Sequence, residues 1–74
     1  MVEIEFNLML IDLAGAKSAK LDIGGSIHLN ELAGLVGLKE DDIGMLLINK
    51  KWAPLDCYVN DGDYVQLFPY LEGG

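Results

Sequence analysis

Asp61-Gly62-Asp63-Tyr64-Val65-Gln66-Leu67-Phe68-Pro69-Tyr70-Leu71-Glu72-Gly73-Gly74 is the stretch on which the fold turns. Asp61-Gly62 is a strong turn signal. Tyr64 to Phe68 reads as a strand, which Pro69 stops because it has no N–H to give a ladder. Two glycines in last position arise by chance in roughly one chain in two hundred at average glycine usage. Chemically, the pair presents a main-chain carboxylate on a stem without side chains, able to thread a narrow channel. Glycine accepts almost any backbone geometry, so such a stem adapts to more than one enzyme. The plain alternative is a frayed terminus, since chain ends are usually unconstrained.

Upstream, Asn49-Lys50-Lys51 reads as a turn, because Asn tolerates positive φ. Met45 to Ile48 is an apolar strand that belongs inside a sheet. Lys39 to Asp42 is a solvated link, and Pro54 and Asp56 mark irregular chain. Leu29, Leu32, Ala33 and Val36 fall at i, i+3, i+4 and i+7, one apolar stripe of a helix. His28 stands at its N-cap and Gly37 at its left-handed C-cap position, with Leu38 able to fold back on the last turn. Val2, Ile4, Phe6 and Leu8 alternate with Glu3, Glu5 and Asn7, a half-buried strand. Ala14-Gly15 breaks it, and Ala19, Leu21 and Ile23 alternate in a second strand that forms a hairpin with the first. The order is strand, strand, helix, strand, closing strand. One helix covering one face of such a sheet gives a two-layer α+β domain.

Seventy-four residues, half of them apolar, suffice for a single domain with one core. No apolar run approaches the length of a membrane span, and no basic segment precedes an apolar one at the start, so neither membrane insertion nor a signal peptide is expected. The lone cysteine, Cys57, fits a reducing cytoplasm. The net charge is −7, with five lysines and no arginine. Arginine is the main reader of bases and phosphates, so nucleic acid is not expected as a partner. A partner with a basic docking surface fits better, because opposite charge speeds encounter; acidity serving solubility alone is the rival explanation.

Asn49 after a hydrophobic strand, Asp61-Gly62-Asp63, Val65, Phe68-Pro69 and Gly73-Gly74 occur together at a spacing that resembles the small subunit of molybdopterin synthase. The chain is thus similar to the MoaD/ThiS-like sulfur carriers. Upstream, His28-Leu29-Asn30-Glu31-Leu32 stands where that family has a Thr-Val-x-Asp/Glu-Leu helix start. There are departures: Leu10-Ile11-Asp12 lacks a basic group that the family often carries, Lys50 replaces a frequent Gly, and Tyr70-Leu71-Glu72 replaces Pro-Val-Ser/Thr. The resemblance implies a ubiquitin-like β-grasp fold, one mixed sheet packed against one main helix. It implies a single domain over residues 1–74 with a flexible Gly-Gly tail from about residue 69.

The resemblance also implies a chemistry. An adenylating enzyme of the ubiquitin-activating type would join ATP to the Gly74 carboxylate, and a sulfurtransferase or cysteine desulfurase would deliver persulfide sulfur. The product would be a thiocarboxylate at Gly74, used by the molybdopterin synthase large subunit or another sulfur acceptor enzyme. The carrier would then be no enzyme, hold no cofactor, and leave ATP to its activating partner. Gly73 and Gly74 would enter the partner's channel. Phe68, Pro69, Tyr70, Leu71 and Glu72 would lie at the partner interface, with core packing the weightier reading for Phe68. Alternatives are a protein modifier joined to lysines through Gly74, a carrier for thiamine, cysteine or tRNA thiolation, or an interaction module whose glycines are incidental.

Rival sites are weaker. Cys57 has no basic cluster or second cysteine to activate it. His28 lacks companion metal ligands. Asp61 and Asp63 are too few for a calcium loop. Trp52 is expected to fill the core, with partial exposure beside Lys50 and Lys51 in a docking patch as the alternative.

Overall fold

A computed structural model describes residues 1–70. Strand β1, Val2–Phe6, turns Val2, Ile4 and Phe6 inward and leaves Glu3 and Glu5 outward. It stops before Leu8, which takes a φ of 56° and is exposed. The expected loop contains a helical turn, α1 (Leu10–Ala14), closed by Gly15 at φ 76°. Leu8-Met9-Leu10-Ile11 is apolar on every side and shows no helical period, yet only Leu10 of α1 is fully buried. β2, Ser18–Leu21, then returns antiparallel to β1, as expected of the hairpin.

β3 (Ser26–His28) leads directly into α2 (Leu29–Leu35), which buries Leu29, Leu32 and Ala33. His28 caps α2 with its ring: Nδ1 accepts the Asn30 N–H at 3.1 Å, so Nε2 carries the proton and donates to Asp56 Oδ1 at 2.8 Å. At the other end, Gly37 sits at φ 82°. The Leu38 N–H reaches the Ala33 carbonyl at 2.9 Å, and the Gly37 N–H reaches the Gly34 carbonyl. Those two bonds form a Schellman motif. The solvated link forms a 3-10 turn, Glu40–Asp42, where Asp42 Oδ2 accepts the Lys39 N–H at 2.8 Å.

β4 (Ile43–Ile48) and β5 (Lys51–Ala53) are joined by Asn49 and Lys50 at φ 53° and 67°. Two positive φ values in a two-residue loop define the type I′ hairpin turn. β5, which begins inside the expected Asn49-Lys51 turn, and β6 (Tyr58–Asn60) show no sequence period, because three-residue strands carry too few alternations. β6 pairs with β3 in a separate two-stranded ribbon. β7, Tyr64–Pro69, runs through Pro69 rather than ending before it.

The five-stranded sheet has the order β2-β1-β7-β4-β5. β1 and β7 are parallel and the other neighbours antiparallel, which makes the sheet mixed. The side chains of α2 join Ile4, Phe6, Ile43, Leu46, Val65 and Leu67 in one core on the inner face. Fully burying such an aliphatic side chain stabilises by about 1.5–3 kcal/mol. This is the β-grasp arrangement that the sequence led us to expect, with β7 at its centre. Among the described residues, no helix is long and apolar enough to cross a membrane.

Candidate functional site

β7 delivers the end of the described chain, so the site is built from its two ends and its outward face. The N-terminal end is fixed by polar side chains. Asn49 Oδ1 accepts the Tyr64 N–H at 2.9 Å, and Asn49 Nδ2 donates to Asp63 Oδ1 at 2.9 Å. Asp63 Oδ2 accepts the Asn60 N–H at 2.8 Å. Asn49 therefore ties the β4–β5 turn to the start of β7, and Asp63 serves the turn rather than a cation. Among the described residues, no cluster of His, Cys, Asp or Glu has the geometry of a metal site.

The outward face follows from the register. One row across the sheet is Ser18, Glu5, Gln66, Leu47 and Trp52, and the next pairs Phe68 with Met45. The row thus changes from polar at Glu5 and Gln66 to apolar at Leu47 and Trp52. Gln66 Nε2 donates to Glu5 Oε2 at 2.8 Å. That bond holds the Glu5 carboxyl below its ordinary range, against an opposing push from burial, with Asn7 adding a smaller pull downward. Trp52 does not fill the core: it is 73% exposed at the sheet edge, on the face opposite α2. Phe68 is half-buried on this outer face, while Pro69 beside it is buried. Strict alternation along β7 puts Val65, Leu67 and Pro69 inside, and leaves Phe68 outside with Tyr64 and Gln66.

Past Pro69 the chain reaches Tyr70, which is exposed and lies between two open clefts. One, of about 340 Å³, is lined by Met9, Leu13, Asp41, Asp42 and Pro69. The other, of about 210 Å³, is lined by Gly44, Met45 and Pro69. Leu71, Glu72, Gly73 and Gly74, named from the sequence as interface and reactive residues, lie outside the described residues. The structure therefore brings together Phe68, Pro69 and Tyr70 and adds Met9, Leu13, Gly44, Met45, Leu47 and Trp52. Sequence reasoning offered Trp52 as the less favoured docking residue and missed the others, because each acquires its position from register or from α1.

Cys57 is partly buried, and that burial pushes its thiol up, with Asp56 and Asp63 adding to the effect. A thiolate is disfavoured there, the opposite of what a reactive cysteine needs.

No protein-family model and no curated protein sequence matches the chain. Solved structures do. A crystal structure of SAMP1 from Haloferax volcanii has a TM-score of 0.70 at 26% identity, covering 99% of this chain and 98% of that one. A crystal structure of small archaeal modifier protein 1 from H. volcanii has a TM-score of 0.71 at 21% identity, covering 95% of this chain and 97% of that one. A candidate molybdopterin converting factor subunit 1 from Pyrococcus furiosus has a TM-score of 0.69 at 20% identity, covering 95% and 97%. These neighbours share the ubiquitin-like β-grasp fold of this chain over nearly its whole length.

Proposed function

We propose that this chain, built like the ubiquitin-fold sulfur carriers, carries sulfur on its last residue. The observation that carries the reading is the position of β7. The central strand ends at an exposed Tyr70, beside an apolar outer face, and the sequence continues from there to Gly73-Gly74.

A free carboxylate is a poor electrophile, so activation comes from a partner. The Gly74 carboxylate oxygen attacks the α-phosphorus of ATP and releases pyrophosphate, giving an acyl-adenylate. A persulfide sulfur from a sulfurtransferase or desulfurase attacks the acyl carbon and expels AMP. A thiol then cleaves the resulting acyl disulfide reductively and frees the thiocarboxylate. The carrier supplies a docking face and a reactive end, and the partner's active site positions that end. The chain is a substrate and subunit rather than a catalyst, and ATP belongs to the activating enzyme. These partners place it in the cytoplasm.

Molybdopterin formation is the acceptor chemistry we favour, on the sequence resemblance and on the Pyrococcus furiosus neighbour with its converting-factor name. The H. volcanii neighbour named small archaeal modifier protein 1 favours a second reading in which Gly74 is joined to lysines of target proteins. Incubation with ATP, the host's adenylating enzyme and a sulfur donor tests the first. A mass gain equal to one oxygen exchanged for sulfur, mapped to Gly74, is expected. Adducts on lysine without that exchange would replace it by the second.

A further inference from the structure

We propose that Gly44 is a positioning residue that aims the chain as it leaves the sheet. The inference rests on the carrier reading above, because aim matters only if the end of the chain is used.

Gly44 differs from every other described glycine. Gly15, Gly24, Gly25, Gly37 and Gly62 have positive φ, and a Cβ on any of them, or on Gly34, would meet open space. Gly44 is not in the left-handed region, so its backbone conformation does not call for glycine. Space does. A Cβ at Gly44 would lie 2.7 Å from the Pro69 carbonyl oxygen, the Tyr70 N and the Tyr70 Cα. All three are backbone atoms, so no flexible side chain can swing aside.

The register explains the crowding. Ile43 pairs with Pro69 and Met45 with Phe68, so Gly44 is the extra residue of a β-bulge in β4. A bulge bends its strand and re-aims what lies next to it. Here the bulged residue presents bare Cα to the last described step of the chain, which passes directly over it. Any side chain at 44 displaces Pro69 and Tyr70 by several tenths of an ångström, the gap between 2.7 Å and an ordinary contact of 3.4 Å or more. Only three residues separate Tyr70 from Gly74. Misplacing a reacting group by about 1 Å can cost on the order of a hundredfold in rate.

Such a substitution shifts Pro69 and Tyr70 but adds nothing at Leu47, Trp52 or Phe68 on the outer face, so turnover should suffer more than binding. The test uses the full chain with ATP, its adenylating enzyme, a persulfide donor and a reducing thiol, following AMP release at varied carrier concentration. For G44A we expect KM within about threefold of the parent and kcat lower by tenfold or more. kcat is normalised to the folded fraction from circular dichroism. G34A adds the same methyl where nothing is near, and should leave both constants unchanged. Pro69→Ala alters the same exit without adding an atom at 44, by removing the ring that fixes φ. Because Pro69 also lies at the candidate interface, it should lower kcat by more than it raises KM, and it decides the matter if G44A does not fold. Wild-type kcat in folded G44A, or in P69A where G44A is unfolded, overturns the role of Gly44 and leaves the carrier reading standing. Parent protein that is not adenylated, by an enzyme active on another carrier, overturns both.

Discussion

The two faces of the sheet are made by the same strands and have opposite characters. Along β7, Val65 and Leu67 are buried in one core with the side chains of α2 and Pro69 is buried beyond them, while Tyr64, Gln66 and Phe68 are half-buried on the other side. The inner face is uniformly apolar because it must leave water for the fold to exist. The outer face is divided: Glu3, Glu5 and Gln66 on the β1 side, Met45, Leu47, Phe68 and Trp52 on the β4–β5 side. Folding does not ask for that apolar half. An antiparallel face open to water normally carries polar residues, and apolar surface gathered in one place marks interaction sites. The difference teaches that one β7 period serves stability and the other serves a partner.

The largest break in that comparison comes from the inner face. Leu67→Ala should lower stability by about 2–5 kcal/mol through lost burial and the cavity left behind, measured by urea unfolding. A loss much smaller than this would mean that the core closes around Leu67 without needing it.

Asn49→Ala should come next, at about 1–3 kcal/mol, since it removes two hydrogen bonds at the start of β7 and puts alanine at φ 53°. Asn49→Gly keeps the turn conformation and loses only the bonds, so it should cost less. Equal losses from the two would assign the whole effect to hydrogen bonding.

Phe68→Ala should cost about 1 kcal/mol or less, one residue from Leu67 but on the outer face. Its effect should appear in docking, as a rise in KM of tenfold or more with the activating enzyme, because aromatic residues dominate binding energy at interfaces. A stability loss equal to that of Leu67→Ala would erase the distinction between the faces.

The smallest effect concerns the polar half. The Glu5 carboxyl is held below its ordinary pKa by Gln66. A group depressed on folding stabilises above its unfolded pKa and loses that contribution as pH falls through the folded value. Wild type should therefore lose a small increment as pH drops below about 4.5, and Gln66→Ala should lose less over the same interval. Parallel stability curves for the two proteins would remove Gln66 as the cause.

What was legible in the sequence was local. The alternation of Val2 to Phe6, the stripe Leu29-Leu32-Ala33, the His28 and Gly37 caps and the Asn49 turn all depend on neighbours within a few residues, where periodicity and φ preferences act. Those signals, with the Phe68-Pro69 and Gly73-Gly74 motifs, were enough for the β-grasp expectation. Three-residue β3, β5 and β6 escaped because pairing with a distant strand, not propensity, makes them strands. α1 escaped because its segment is apolar all round.

The sequence by itself determined β1, β2, α2, β4 and β7, the charge and which residues of β7 alternate. Only the tertiary structure decided which set of that alternation faces the helix, since a strand has two faces and a shift of one residue exchanges them. It alone placed Trp52 outside, gathered Met45, Leu47 and Phe68 beside the exit, and laid Pro69 and Tyr70 over Gly44. Those contacts join residues some twenty-five positions apart, and no local rule of sequence reaches that far.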